Sequence, residues 1–183
     1  MRLLSICLLA MVATRSGPVV VRDVDGRSLS LLTPARGKTE LLFFINSECP
    51  ISNRYAPEIT RICNDYRAKG VGCVLVYPDT TITSAAVNKH RQEFSVAPGA
   101  PAVIDHDFAV TAAINATVTP EAAIYTASGL VYRGRIDDLY ADVGQSRRAA
   151  TTHDVRAALN AVISGKRVPI TETEPVGCSI ERR

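Results

Sequence analysis

The cysteines are the residues of this sequence with the clearest chemical potential, and Cys49 is the most informative of them. It lies in the segment INSECPISNRYAPEI, where an apolar run ends and an amphipathic run begins. A thiol at the start of a helix faces unpaired backbone N–H groups and the positive end of the helix dipole, which stabilise the thiolate. Pro50 suits the first helical turn. The pattern favours a nucleophilic cysteine, and the alternative is a small buried residue at a strand end.

Residue 52, three positions after Cys49, is serine, so the segment CPIS has no second cysteine for a local disulfide. A resolving thiol must therefore come from elsewhere in the chain or from another molecule. Cys178, in the segment VGCSI, is a candidate for that thiol, for a permanent disulfide partner, or for a free thiol that dimerises. Cys63 and Cys73 lie on apolar faces of a predicted helix and strand, either as core residues or as a structural disulfide with each other.

The other polar residues give weaker signals. The histidines at positions 90, 106 and 153 show no spacing typical of a metal site, and no metal or cofactor is predicted. We expect His90 and His153 to be surface or capping residues, whereas His106 is a candidate neighbour of the active site. Arg135, in the segment GRIDD, either forms an ion pair at a strand end or supplies positive charge to a thiolate or its substrate.

The distribution of charge argues against nucleic-acid binding, and the first residues suggest export. The net charge of +3 is spread along the 183 residues without a basic stripe, so nucleic-acid binding is not predicted. The first residues, MRLLSICLLAMVA, resemble a secretory signal that is too short for a permanent membrane anchor. We predict a signal peptide at 1–17, a single domain at 18–166 and a tail at 167–183. The mature protein would have no membrane span and would be periplasmic or secreted, in an oxidising compartment.

The pattern of the elements indicates an α/β fold. Asp25-Gly26 is a strong hairpin signal between VVVRD and LSLLT. TELLFFIN is typical of a central strand buried on both faces, and the helical run after Cys49 ends at Lys69-Gly70. Strands are predicted at VGCVLVYP and PAVID, with helices at SAAVNKHRQEF and DFAVTAAI. A second hairpin follows in TPEAAIYTASGLVYRGRI, then a helix in TTHDVRAALNAVISGK. Alternating strands and helices require a sheet with parallel strands.

Three segments, FFINSECPISNRYAPEI, VTPEAAIYTASGLVYRGRIDD and EPVGCSI, resemble thioredoxin-like redoxins of the peroxiredoxin-like family, relatives of the alkyl hydroperoxide reductase and thiol-specific antioxidant proteins. The resemblance implies a thioredoxin fold, with a central mixed β-sheet flanked by helices, an N-terminal β-hairpin and an inserted strand and helix. It also implies that Cys49 is the attacking thiol. True peroxiredoxins carry proline and threonine where this chain has Leu42 and Asn46, so the Asn46 amide is the candidate for a hydrogen bond to substrate.

Thr119 and Pro120 form the second part of the predicted site. A proline before a buried strand is usually trans, but a cis bond at such a position can let an extended peptide pair with the loop backbone. The resemblance implies a cis Pro120 that faces Cys49. We therefore predict that Thr119, Pro120, Asn46 and Arg135 bind the substrate.

These observations predict an exported thiol-based oxidoreductase that uses Cys49, with Cys178 as the second catalytic cysteine, for thiol–disulfide exchange or for peroxide reduction. Its partners would be a thiol or disulfide protein, or a peroxide, together with an external reductant. The alternative is a non-catalytic binding module of the same fold for a peptide or a metal-loaded partner. A third possibility is a stable domain in which every cysteine serves only in a structural disulfide.

Overall fold

The computed structural model describes residues 17–181. The predicted signal peptide, apart from Gly17, lies outside these residues, and so does Cys7. The described chain starts with an antiparallel hairpin formed by β1 (Val19–Arg22) and β2 (Ser28–Leu31). Its turn contains Gly26, whose φ of 83° is in the left-handed region that glycine adopts readily. The hairpin predicted from Asp25-Gly26 is therefore present.

A mixed sheet of five strands forms the centre of the protein, in the order β5-β4-β3-β7-β8. The strands are β3 (Thr39–Phe44), β4 (Val71–Tyr77), β5 (Ala102–Ile104), β7 (Glu121–Thr126) and β8 (Gly129–Gly134). β3, β4 and β5 are parallel, whereas β7 runs antiparallel to both β3 and β8. All six residues of β3 are buried, which explains why its sequence is apolar almost without interruption.

Helices cover both faces of the sheet, and alternate side chains of β3 pack into separate cores. The helices are α1 (Pro50–Arg67), α2 (Ser84–Glu93), α3 (Ala109–Ile114) and α4 (Asp154–Ile163). Leu41 and Phe43 join the core that contains residues of α1, α2 and α4. Leu42 and Phe44 join the core formed with α3 and the N-terminal hairpin. The period of two residues in a strand sends neighbouring side chains to opposite layers.

Besides the N-terminal hairpin, four short strands of the described chain lie outside this sheet: β6 (Val118–Thr119), β9 (Tyr140–Asp142), β10 (Gln145–Ser146) and β11 (Cys178–Ser179). β11 pairs antiparallel with β6, so the described part of the predicted tail folds back onto the loop before β7. The tail also crosses β8, where backbone hydrogen bonds join Arg133 to Thr171 and Thr173. A side chain at Gly134 would collide with Thr173, so this crossing needs glycine.

Cys63 on α1 and Cys73 on β4 form a disulfide with a Cα–Cα distance of 5.7 Å, in the normal range for such a bond. Both residues are buried in the same core. The bond fastens the first helix to the strand that follows it, which selects the structural-disulfide alternative for this pair. No helix within residues 17–181 combines the length and the apolar character that crossing a bilayer requires.

Replacing Cys63 and Cys73 together with alanine is expected to lower the free energy of unfolding by about 2–3 kcal/mol, because the bond restricts the unfolded chain over a short loop. Guanidinium denaturation with and without a reductant measures the effect. In reductant, wild type and variant differ only in their side chains, so most of the difference should disappear. An equal difference under both conditions would show that the bond contributes nothing.

Candidate redox site

Cys49 is the N-cap residue of α1, and it follows β3 after a short loop. Its backbone is extended, with φ −84° and ψ 112°, and no side chain caps the helix. Pro50 occupies the first turn, where its missing N–H costs nothing. The backbone N–H of Asn53 donates to the carbonyl of Cys49 at 3.0 Å and closes the first helical turn. The thiol therefore lies at the positive end of a helix of 18 residues.

The sulfur of Cys49 is bonded to that of Cys178 on β11, across 129 residues of sequence. The Cα–Cα distance is 6.0 Å, again normal for a disulfide. Cys49 is 2% exposed, whereas Cys178 is only partly buried. Of the three possibilities for Cys178, the structure excludes a free thiol in this state and leaves a resolving thiol or a permanent partner.

The loop that carries Thr119 and Pro120 lies directly against Cys49. The bond between these two residues is cis, as the resemblance implies. The sulfur of Cys49 lies 3.0 Å from the carbonyl oxygen of Thr119, the acceptor that a reduced thiol would use. Cys49, Cys178, Thr119 and Pro120 are therefore brought together, while their roles in a reaction stay predictions.

Ser52 and Asn46 fix the loop before Cys49. The buried hydroxyl of Ser52 accepts a hydrogen bond from the backbone N–H of Asn46 at 3.3 Å. The side-chain oxygen of Asn46 accepts from the N–H of Glu48 at 2.8 Å, which forms a local turn. The Asn46 side chain therefore helps to shape the loop, and its role in substrate binding stays a prediction.

Asn46, Glu48 and Thr119 line a cleft of about 380 Å³. The tail residues Ser179 and Ile180 also line it. In the oxidised protein the tail thus forms a wall of the cleft next to the disulfide. Among residues 17–181, no three His, Cys, Asp or Glu side chains are grouped so that they could hold a metal ion.

Arg135 makes its side-chain hydrogen bonds elsewhere. Its guanidinium donates to Asp154 at the start of α4 at 2.9 Å, and to the hydroxyl of Thr152 at 3.4 Å. The hydrogen bond with Asp154 raises the pKa of Arg135. The neighbouring Asp137 accepts a hydrogen bond of 2.6 Å from Tyr55 of α1. These contacts agree with the ion-paired strand end, and the role of Arg135 in substrate binding stays a prediction.

The expectation that His90 is a surface or capping residue is wrong. His90 is 5% exposed and lies between Tyr77 of β4 and Asn53 of α1. Its Nδ1 is 2.9 Å from the hydroxyl of Tyr77, and its Nε2 is 2.8 Å from the side-chain oxygen of Asn53. A neutral ring with the proton on Nε2 satisfies both contacts, since Nδ1 then accepts from Tyr77. The sequence held a signal, because His90 follows the buried Val87 by three residues on the same helix face.

Through Asn53, His90 is connected to the loop that precedes Cys49. The Asn53 side chain donates to the carbonyl oxygen of Ser47 at 3.0 Å while its oxygen faces His90. Burial lowers the pKa of His90 and the nearby Glu93 opposes this shift. The ring also packs edge to face on Tyr77 and against Phe94. The network thus anchors the Cys49 loop through a neutral histidine.

Glu121 is a further buried group that the sequence did not single out. It follows Pro120 and is 2% exposed. Burial raises the pKa of its carboxyl group, against the effect of hydrogen bonds from the N–H groups of Thr117 and Val118. Those bonds join Glu121 to the two residues before Thr119 and so help to fix the Thr119–Pro120 loop. The only hint in the sequence is a charge at the start of the apolar run EAAIY.

Comparison with known proteins identifies the fold. No family model and no curated protein matches the chain. A conserved protein from Geobacillus kaustophilus has a similar structure, with a TM-score of 0.78 and 26% identity over 93% of this chain and 91% of that one.

Two other solved structures carry informative descriptions. One is a secreted disulfide oxidoreductase of Mycobacterium tuberculosis homologous to E. coli DsbE, with a TM-score of 0.54, 18% identity, and coverage of 79% of this chain and 95% of that one. The other is a thioredoxin-like protein of Neisseria meningitidis, with a TM-score of 0.55, 20% identity, and coverage of 65% and 77%. At these identities the likeness shows the fold alone. The predicted thioredoxin fold, with its central mixed sheet between helices, is confirmed.

The pKa of His90 predicts a dependence of stability on pH. Because burial lowers this pKa below the ordinary value of 6.5, the unfolded chain binds the proton more readily than the folded protein. The contribution to the free energy of unfolding is fully present above pH 6.5. It is lost as the pH falls through the folded-state pKa. We expect wild type to lose more stability than His90→Gln between pH 7.5 and 5.5 in chemical denaturation.

His153→Gln is the matched control for this experiment, since His153 is exposed at the start of α4. It should retain the pH dependence of wild type. Equal pH dependence in wild type and His90→Gln would contradict the buried neutral histidine.

Proposed function

We propose that the protein is a thiol–disulfide oxidoreductase whose redox pair is Cys49 and Cys178. The observation that carries this proposal is the disulfide between the N-cap of α1 and β11, in contact with the loop of Pro120. A purely structural bond would not need a helix N-terminus, which stabilises a thiolate. The Cys63–Cys73 bond offers a contrast, because Cys63 lies inside α1 and Cys73 inside a strand.

In the reduced protein, the Cys49 thiolate attacks one sulfur of a substrate disulfide. A bond forms between Cys49 and that sulfur, and the other substrate sulfur leaves with the electron pair as a thiolate. The Cys178 thiolate then attacks the Cys49 sulfur and releases the second substrate thiol. The substrate is reduced by two electrons, and the protein returns to its Cys49–Cys178 disulfide. An external dithiol restores the reduced pair.

When an external dithiol reduces the Cys49–Cys178 disulfide, burial and helix geometry favour attack on one of the two sulfurs. Cys178 is the more accessible cysteine, because it is only partly buried whereas Cys49 is 2% exposed. Attack of a reductant on Cys178 makes Cys49 the leaving group, and a thiolate stabilised at a helix N-terminus leaves faster. The first product is then a mixed disulfide on the tail and a free Cys49 thiolate.

Peroxide reduction is the second candidate, consistent with the resemblance to peroxiredoxin-like proteins. Here the Cys49 thiolate attacks a peroxide oxygen to give a sulfenic acid, and an alcohol or water leaves. Condensation with the Cys178 thiol expels water and gives the same disulfide. The intramolecular bond supports this version because it is the product that such a condensation would give. The NH₂ group of Asn46 is the candidate donor to the peroxide.

We also propose that residues 1–17 are a cleaved signal peptide, that residues 18–166 form the domain and that the protein acts in the periplasm or outside the cell. Two disulfides within residues 17–181 support an oxidising compartment, where such bonds persist. A thiol protein partner and an external reductant follow from the exchange reaction.

Reduction of insulin disulfides by dithiothreitol, followed by turbidity, tests the exchange function. Wild type should accelerate the reaction, and Cys49→Ser should return it to the uncatalysed rate. Cys178→Ser that has been reduced and then freed of dithiothreitol should still attack insulin and remain joined to it as a mixed disulfide, visible on a non-reducing gel. The Cys63→Ala/Cys73→Ala variant is the matched control and should remain active. A wild-type rate for Cys49→Ser would contradict the proposal and favour a binding module in which Cys49 is incidental.

Consumption of hydrogen peroxide by the same variants separates the two candidates. Exchange predicts that wild type consumes no more peroxide than Cys49→Ser does. Rapid consumption that depends on Cys49, without insulin reduction, would select the peroxidase.

A further inference from the structure

The tail occupies an edge of β6 that any extended polypeptide could use. β11 pairs with β6 so that Cys178 lies opposite Thr119 and Ser179 opposite Val118. The N–H of Ile180 extends the pairing, donating to the carbonyl of Thr117 at 2.9 Å. Among the described strands, β6 has no other partner than β11. Main-chain pairing of this kind does not depend on sequence, so it can be transferred to another chain.

Gly177 makes the closest approach of the tail to this loop. A Cβ atom at this position would lie 2.6 Å from the carbonyl carbon and still closer to the carbonyl oxygen of Thr119, and 3.1 Å from the nitrogen of Pro120. All three are backbone atoms, which cannot rotate away as a flexible side chain would. The Thr119 carbonyl is also held against the sulfur of Cys49 on the same loop. The residue directly before the bonded cysteine must therefore be glycine.

The positions on either side of Gly177-Cys178 have different environments. Val176 packs against the core that contains Cys49, and Ile180 packs against the core on the other face of the sheet. Ser179, between Cys178 and Ile180, is exposed. The surface thus fits a segment of five consecutive residues: an aliphatic residue, glycine, cysteine, a residue of any type, and a second aliphatic residue.

We propose that the tail occupies the binding site of the substrate, and that this site selects an extended segment in which glycine directly precedes the reactive cysteine. The inference rests on the proposed exchange function and names its substrate class. The Cys49 thiolate attacks the sulfur of that cysteine, and the bond to the other half of the substrate disulfide breaks. The electron pair leaves on that second sulfur. In the mixed disulfide the substrate takes the place of β11 beside β6.

The site also explains how the substrate leaves. Cys178 reaches Cys49 only when the tail returns to β6, where the substrate segment is bound. The substrate backbone must therefore leave β6 before the tail can pair there, and the Cys178 thiolate then attacks the Cys49 sulfur and expels the substrate cysteine as a thiolate. The two segments compete for the same edge of β6.

Peptide disulfides test this selectivity on the full-length Cys178→Ser variant in its reduced form. The probes are the heptapeptides EPVGCSI and EPVACSI, whose cysteines carry a 2-nitro-5-thiobenzoate group. Attack by Cys49 releases the thiobenzoate, which is followed by its absorbance. The glycine peptide should react at least about tenfold faster, since overpacking against rigid backbone has an effect of this order. Reaction of both peptides with free glutathione corrects for their intrinsic reactivity.

Two controls separate the possible failures. If the variant reacts with 5,5′-dithiobis(2-nitrobenzoate) but shows equal rates with the two peptides, the selectivity is overturned and the exchange function stands. If Cys49 reacts with none of these disulfides faster than free cysteine does, the exchange function itself fails.

A second variant tests whether the tail competes with the substrate. Adding Gly177→Ala to Cys178→Ser should displace the tail from β6 and raise the rate with EPVGCSI several-fold. An unchanged rate would contradict occupation of the substrate site by the tail. Far-ultraviolet circular dichroism of both variants confirms that the domain remains folded.

Discussion

The backbone of the Thr119–Pro120 loop is the constraint on which the rest of the site depends. Its carbonyl oxygen lies against the sulfur of Cys49, and its outer edge pairs with β11. The buried carboxyl group of Glu121 accepts hydrogen bonds from the backbone N–H groups of Thr117 and Val118, which precede this loop. The helix N-terminus, the sulfur and the tail are therefore all positioned relative to one short segment of backbone.

Serine at position 52 determines where the thiol that forms a disulfide with Cys49 must come from. A second cysteine one helical turn after Cys49 would form a local disulfide, whereas here the hydroxyl of Ser52 supports the backbone of Asn46. The partner thiol comes instead from a segment 129 residues away in sequence. That segment also contains β11, Gly177 and the aliphatic residues Val176 and Ile180. The tail therefore supplies part of the surface around the Cys49 sulfur as well as the reacting thiol.

The elements were predictable wherever one local pattern dominated. The buried run of β3, the helix after Cys49 and the hairpin at Asp25-Gly26 each follow from residues close together in sequence. The disulfide pairs did not follow, because spacing along the chain does not fix the distance between sulfurs. The sequence pattern predicts that His90 is a surface or capping residue, since a polar residue on a short helix is usually solvated. Its buried partner Tyr77 lies on a strand, and sequence patterns do not reveal contacts between elements.

The tail gives the protein a link between folding and electron transfer. Contacts of Thr173 with β8, and of Ile180 with Thr117 just before β6, hold the C-terminal segment in place. These contacts help to bring the two sulfurs together. Thermodynamic reciprocity requires that whatever tightens this docking makes the bond harder to reduce, and that reduction loosens the docking by the same free energy. The reduction potential is therefore set in part by residues far from either sulfur, and evolution could tune it through the tail without altering the helix that carries Cys49.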